Sequence, residues 1–286
     1  MRKVVLILLI VIVGIGFGIG IKISPATIVA TDIPPGEVID IYKEYGHIIR
    51  VFGAPSNVTY HIEPIKPSEA NTKITGYVDI HNPDWFWTEI DTLLVPGPET
   101  SVTDNPMYIK FPDNDQWYNR HYLVGVSVSP ISKEGMGSLV LGAFLQFRLE
   151  TEAKAGVVPT VFEENEYVFV PSAIELGEIE RGKEYINKVE IYTGLYYNHD
   201  ITLEPLDPES PVGKITILPT PGYKRVHDST WVFYDNNYDI SSKKPAEAYI
   251  SVYIPKRTPQ GRYEELIFLE SSVGNAFLRI RFTIKD

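Results

Sequence analysis

Chemistry needs reactive side chains at workable spacings, and the six histidines are the first candidates: His47, His61, His81, His121, His199 and His227. No two stand as H-x-H or H-x-x-x-H, so a zinc site would have to gather its ligands from distant strands. They read as single imidazoles, and no metal site is expected. Asp84 with Glu89, and Glu163 with Glu164, are the carboxylate pairs one could propose for acid–base work. Nothing in the spacing brings either pair to the roughly 5–10 Å that such work requires. Asp113-Asn-Asp115 and Asp235-Asn-Asn-Tyr-Asp239 supply hard oxygens of the kind that bind calcium, but neither fits the EF-hand loop. Asp and Asn are also ordinary turn residues. With no G-x-S-x-G, H-E-x-x-H or phosphate loop, the expectation is no catalytic residues and no cofactor.

The aromatic residues are the more informative excess, with 18 Tyr, 12 Phe and four Trp. Read as an extended strand, Asp84-Trp85-Phe86-Trp87 places Trp85 and Trp87 on one face and Phe86 on the other. Trp87, Trp117, Tyr118 and the Tyr196-Tyr197 pair are the candidates for an exposed aromatic surface, able to stack on sugars or anchor a protein contact.

The rest of the chain must position these groups. Its 286 residues are enough for two domains, and 44% apolar with 22% charged residues is the balance of a folded chain. A net charge of −11 with no basic cluster removes the counterion-release term that drives nucleic-acid binding, so no nucleic acid is expected as a partner. Without cysteine, packing alone must hold the fold, and the missing disulfides point to a bacterial or archaeal source.

The N-terminus carries its own signal. Met1-Arg2-Lys3 precedes an uncharged apolar run from Val4 to Ile21, closed by Lys22. Eighteen helical residues span about 27 Å, close to a bilayer core, and exceed the ~7–15 residue apolar core of a cleaved signal. The reading is an uncleaved signal anchor over 1–22, with the bulk of the chain extracytoplasmic by the positive-inside rule; the alternative is secretion after cleavage. Gly14, Gly16, Gly18 and Gly20 form two overlapping G-x-x-x-G pairs, a strip suited to helix association. Asn57-Val-Thr59 is a formal glycosylation sequon at Asn57.

Beyond the anchor the chain repeats itself. Pro25, Ile28, Asp32, Ile33 and Gly36 recur as Pro171, Ile174, Glu178, Ile179 and Gly182 at a constant offset of 146, which also carries Trp85 onto Trp231. Ile109-Lys-Phe-Pro112 then faces Val252-Tyr-Ile-Pro255, Arg120-His-Tyr122 faces Gly261-Arg-Tyr263, and Ala143-Phe-Leu145 faces Ala276-Phe-Leu278. Matches in one order with drifting offsets mark two copies of one domain. Each copy reads as short alternating strands punctuated by Pro, Gly, Asn and Asp, as in an immunoglobulin-like sandwich. The expected fold is all-β: two tandem immunoglobulin-like β-sandwiches, 23–152 and 161–286, joined by a linker at 153–160 and preceded by the single N-terminal helix. Pro259-Gln-Gly261-Arg-Tyr263 reads as a tyrosine corner.

These motifs give the chain a likeness. Pro25, Gly36, Pro83-Asp-Trp85, Phe111-Pro112 and Trp117-Tyr-Asn119 in the first copy, with Pro171, Gly182, Trp231, Ile254-Pro255 and Gly261-Arg-Tyr263 in the second, resemble the repeats of poorly characterised archaeal and bacterial surface-anchored proteins with tandem immunoglobulin-like domains. The resemblance implies a surface location and a binding, adhesive or assembly role. The expected function is therefore a non-enzymatic, membrane-anchored protein making protein–protein contacts in a cell-surface, pilus-like or virion assembly, with envelope proteins or other copies of itself as partners. A carbohydrate-binding module using exposed aromatics is the alternative.

Overall fold

The computed structural model describes residues 22–52, 58–70, 74, 76–95, 102–131, 142–163, 165–205, 217, 219–226 and 231–285. The anchor (all but Lys22), its glycines Gly14, Gly16, Gly18 and Gly20, and Asn57 lie outside these residues. Among the described residues no helix is long and apolar enough to cross a membrane.

The chain is all-β with several sheets. The N-terminal half comprises β1 (Lys22–Ser24), β2 (Thr27–Ile33), β3 (Ile39–Asp40), the short helix α1 (Ile41–Tyr45), β4 (Ile49–Phe52), β5 (Val58–Ile65), β6 (Val78–Asp79), β7 (Phe86–Thr88), β8 (Thr92–Val95), β9 (Val102–Asn105), β10 (Met107–Ile109), β11 (His121–Pro130) and β12 (Ala143–Thr151). The C-terminal half comprises β13 (Tyr167–Val170), β14 (Ala173–Ile179), β15 (Glu184–Thr193), β16 (His199–Pro205), β17 (Lys224–Arg225), β18 (Val232–Phe233), β19 (Asn237–Ile240), β20 (Ala246–Tyr253), β21 (Gly261–Glu270) and β22 (Asn275–Ile284).

The larger sheets of the two halves have the same strand order. One runs β2-β12-β11-β5-β8 with β6 beside β11; the other runs β14-β22-β21-β16-β19 with β17 beside β21. The registers agree as well: Phe147 faces Ile28 as Ile280 faces Ile174, and Tyr122 faces Leu149 and Val78 as Tyr263 faces Phe282 and Lys224. Ile109 likewise faces Phe86 as Val252 faces Val232, so Trp85 and Trp231 stand at equivalent places. The Ser24–Pro25 and Val170–Pro171 peptide bonds are both cis.

The smaller sheets differ for a local reason. In the C-terminal half β13-β15-β20-β18 is continuous, whereas the N-terminal counterpart is split into β1-β4-β9 and β3-β10-β7. Where β15 runs straight through, α1 interrupts the chain. Asp40 caps it by accepting from the Tyr42 and Lys43 amides at 3.0 and 3.1 Å, and Gly46 closes it at φ 72°. In each half the sheets share one apolar core, with Ile28, Ile49, Phe86, Val124 and Phe147 in the first and Ile174, Ile191, Ile250, Ile267 and Ile280 in the second. Strand β20 alternates buried and exposed residues, as one covered face requires.

Strands β21 and β22 are instead buried almost end to end, because their second face meets the other half. Leu123, Tyr77 and Ile74 pack there with Leu266, Phe268, Phe277 and Ile217 as a third apolar cluster. Gly76 is needed beside it: its φ is +82°, and a Cβ would come within 2.5 Å of the Phe277 ring. Around this cluster lies a buried ionic network. Arg279 donates two bonds to Glu150, each of 2.5 Å, and a third to Glu264 at 2.8 Å. Tyr77 Oη donates to Glu150 at 2.6 Å, and the Thr220 amide donates to Glu264 at 3.2 Å. Arg281 reaches Asp32 at 2.5 Å and also pairs with Glu175, while Arg120 pairs with Glu166. Asn119, at φ 61°, ties down the connecting segment. Its amide nitrogen donates to the Lys154 and Val157 carbonyls, and its oxygen accepts from the Lys154 and Ser172 amides.

Two outcomes follow from the network. Arg279→Met leaves Glu150 and Glu264 buried without their shared cation, and is expected to cost about 3–5 kcal/mol, read as a fall in the urea midpoint. Burial alone would raise the Glu150 carboxyl, but Arg279 overrides it and holds the group down at about 2, against an ordinary 4.5. A depressed carboxyl contributes stability above its unfolded value and loses it as the folded group protonates. Thermal melts should therefore lose that contribution as pH falls from about 4.5 to about 2.

Candidate functional site

The residues singled out for chemistry are dispersed. His61 Nδ1 meets the Asp91 carbonyl at 3.1 Å, His199 Nε2 meets Tyr167 Oη at 2.6 Å, His81 pairs with Glu163 at 3.2 Å, and His121 stacks on Phe277. His227 and Glu164 lie outside the described residues. Among the described residues no three His, Cys, Asp or Glu side chains are grouped to hold a metal ion. The Asp/Asn loops serve local needs: Asn114 accepts from the Gln116 amide at 3.0 Å, Asp115 pairs with Lys154, and Asp239 pairs with Lys244 at 2.9 Å. Glu89 accepts from Tyr108 Oη, while Asp84 sits in a turn capped by Asn82.

The aromatic candidates divide four ways, and Tyr196 and Tyr197, at 84% and 53% exposure, do stand on the surface. Trp117 is 7% exposed and belongs to the core, packed edge-on against Trp85 at 4.6 Å and His81 at 4.9 Å. This corrects its expected place on the surface. The turn capped by Asn114 rolls residues 115–117 into a single 3-10 turn and drives the indole inward. Tyr118 is half-buried, with the Lys154 ammonium 4.3 Å from its ring, so it helps hold the connecting segment. Trp87 is half-buried and stacks on Tyr108 at 5.7 Å and 21°. The expected alternation through Trp85 is also corrected: Asn82 and Pro83 close a 3-10 turn over Pro83–Trp85, so the strand begins at Phe86, whose ring is core. Trp85 and Trp231 both pack partly buried against their cores.

The expected tyrosine corner is present at Tyr263, whose Oη donates to the Pro259 carbonyl at 3.0 Å. Its counterpart Tyr122 is buried and its Oη has no partner among the described residues.

What the expected surface misses is the outer face of β15, β20 and β18. Phe233, Ser251 and Ile186 stand opposite one another in one cross-strand row. Phe233 is 51% exposed, Ile186 64% and the neighbouring Tyr249 59%, with Tyr253 beside them. The rim is charged: Lys188 bridges Glu190 and Glu247 at 2.9 and 2.7 Å, and Glu184 accepts from Ser251. In the N-terminal half the same register holds Trp87, Tyr108 and Asp40. The signal was visible in Tyr249-Ile-Ser-Val-Tyr-Ile254, where both faces of the strand carry large apolar or aromatic groups. Contiguous apolar exposure of this kind marks interaction sites on folded proteins.

No protein-family model matches the chain, and neither does any curated protein sequence. Among solved structures it is similar to the ASH/PapD-like domain 7 of human CEP192, at 12% identity over 46% of this chain and 94% of that one, with a TM-score of 0.30. It is also similar to the sialic acid binding region of a Streptococcus sanguinis adhesin, at 11% identity over 93% of this chain and 78% of that one, with a TM-score of 0.28. A family 123 glycoside hydrolase from Clostridium perfringens matches at 13% identity over 40% of this chain, spanning 23% of the hydrolase, with a TM-score of 0.29. Likenesses of this degree assign no family.

Buried and exposed positions should respond differently to mutation. Trp117→Ala opens a core cavity and is expected to cost about 3–5 kcal/mol in urea unfolding. Ile186→Ser with Phe233→Ser, both on the outer face, should leave stability within about 0.5 kcal/mol per site.

Proposed function

We propose that this chain is a non-enzymatic, membrane-anchored extracytoplasmic protein, built as two tandem immunoglobulin-like β-sandwiches over 23–152 and 161–286. It makes protein–protein contacts in an envelope assembly through the outer face of its C-terminal half. The observation that carries this reading is the exposed row of Phe233, Ser251 and Ile186 with Tyr249 and Tyr253 beside it. An apolar centre with a charged rim is the anatomy of a protein interface. The apolar run from Val4 to Ile21 supports the anchor, and the buried network supports a stiff body able to hold that face away from the membrane. The second reading, a carbohydrate-binding module, is favoured by the stacked and partly exposed Trp87–Tyr108 pair.

A photo-crosslinking residue at Tyr249 in the natively expressed, membrane-fractionated protein tests the first reading. One defined adduct with an envelope protein, or with a second copy, is expected. It should vanish when Ile186 and Phe233 are both changed to Lys in that background. An adduct indifferent to those changes, or a full-length chain absent from the membrane fraction, contradicts the proposal. Glycan binding that is lost in Trp87→Ala would support the second reading instead.

A further inference from the structure

A cavity of about 240 Å³ opens in the C-terminal half, lined by Pro205, Val232, Phe233, Tyr234, Asn236 and Glu265. Glu265 lies on β21 between Tyr263 and Ile267, which both belong to the apolar core, so strand alternation turns its side chain to the core side of the sheet. It is 6% exposed, and no ion pair engages it among the described residues. The cation whose charge acts on it, Arg225 on β17, is directed to Glu264 at 3.6 Å.

The N-terminal half provides an internal control. The shared registers place Val124 where Glu265 stands, Phe86 where Val232 stands and Phe147 where Ile280 stands. In that half the Phe86 and Phe147 rings pack at 4.7 Å and Val124 is fully buried. At the matched places the C-terminal half has Val232 and Ile280 instead of two phenyl rings, and a carboxyl instead of Val124. Either change alone could be drift. Together they set beside this space a carboxyl that apolar surroundings tolerate only when it is protonated or paired with a cation.

We propose that this cavity is a binding site for an alkylammonium group, its stem against Val232 and Tyr234, with Phe233 at the rim, and its cation on the Glu265 carboxylate. The Asn236 side-chain oxygen is the second available acceptor. With Glu265 and Asn236 as the polar side chains of an otherwise apolar or aromatic lining, the site fits a ligand that is apolar along its length and charged at one end. Ring faces and a carboxylate together favour a cation and repel an anion. The volume lies below the roughly 300–1,000 Å³ of drug-sized pockets, which suits one unbranched amine or one lysine side chain. The inference is independent of the outer-face reading, although Phe233 borders both.

The site should be sensitive to pH. Burial pushes the Glu265 carboxyl up to about 8, offset in part by Arg225 and the Leu266 amide and reinforced by Glu264; Glu204 on β16 is the other charge acting on this region, through Tyr234. The empty site therefore holds a protonated carboxyl near neutral pH, and a cation binds best once that proton has left.

Calorimetric titration of the full-length chain with n-butylammonium, N-acetyl-lysine methylamide and neutral n-butanol tests the proposal. Saturable binding of amine and none of the alcohol is expected, tightening about tenfold between pH 7 and pH 9 as the carboxyl ionises. Glu265→Gln, and separately Val232→Phe, which introduces the other half's ring, should each weaken it at least tenfold. Neither change touches the row Phe233, Ser251 and Ile186. Binding of n-butylammonium alone identifies a free amine as the source, and binding of both amines identifies a lysine side chain. Equal affinity in the variants, binding of the alcohol, or no binding of either amine at pH 9 overturns it.

Discussion

Arg279 carries a full charge at 1% exposure, and a guanidinium removed from water is tolerable only if its donors are satisfied by acceptors of opposite charge. Two carboxylates do this from opposite sides: Glu150 from β12 of the N-terminal half and Glu264 from β21 of its own half. The geometry is bidentate on one side, which fixes direction as well as distance. Because Tyr77 and Thr220 fill further acceptor sites on these carboxylates, the group cannot be rearranged without orphaning a buried polar atom. The contact between the halves follows from this constraint, and Asn119 then pins the connecting segment beside it.

The network also explains how two halves with one strand order came to play different parts. Glu264 stands where the N-terminal half has the buried Leu123, and Arg279 stands where it has Gln146. Arg279 finds Glu150 across the contact and Glu264 within its own half, so the interface is asymmetric although the topology is not. The two cores differ too: the N-terminal one packs the Phe86 and Phe147 rings together, and the C-terminal one has Val232 at the place of Phe86 and a cavity beside Glu265. It also left the smaller sheet of the C-terminal half continuous, which sets Phe233, Ser251 and Ile186 in register across its outer face.

Much of the strand order was legible because the offsets between the halves reflect shared registers: Trp85 with Trp231, Tyr122 with Tyr263 and Ala143 with Ala276 all stand at matched places. The Tyr263 corner was legible because Gly261 and Pro259 mark the turn it bonds back to. The site was much less so. Arg279 and Arg281 alternate with apolar residues in β22, a pattern that reads as one face in water, and only the other half's placement turns that face into an interior. Trp117 was misplaced because local capping by Asn114, not strand alternation, decides where its indole goes. Ile186 and Phe233 went unnoticed because they lie on strands far apart in the chain; the row forms only when three strands align.

The central claim is that the buried Arg279 group makes the two halves one rigid body. Residual dipolar couplings measured on the full-length chain test it most directly. Amides of β2, β5, β11 and β12 and amides of β14, β16, β21 and β22 should fit a single alignment tensor, with that agreement lost in Arg279→Met. Two distinct tensors for the unaltered chain would show halves that reorient independently and would contradict the account.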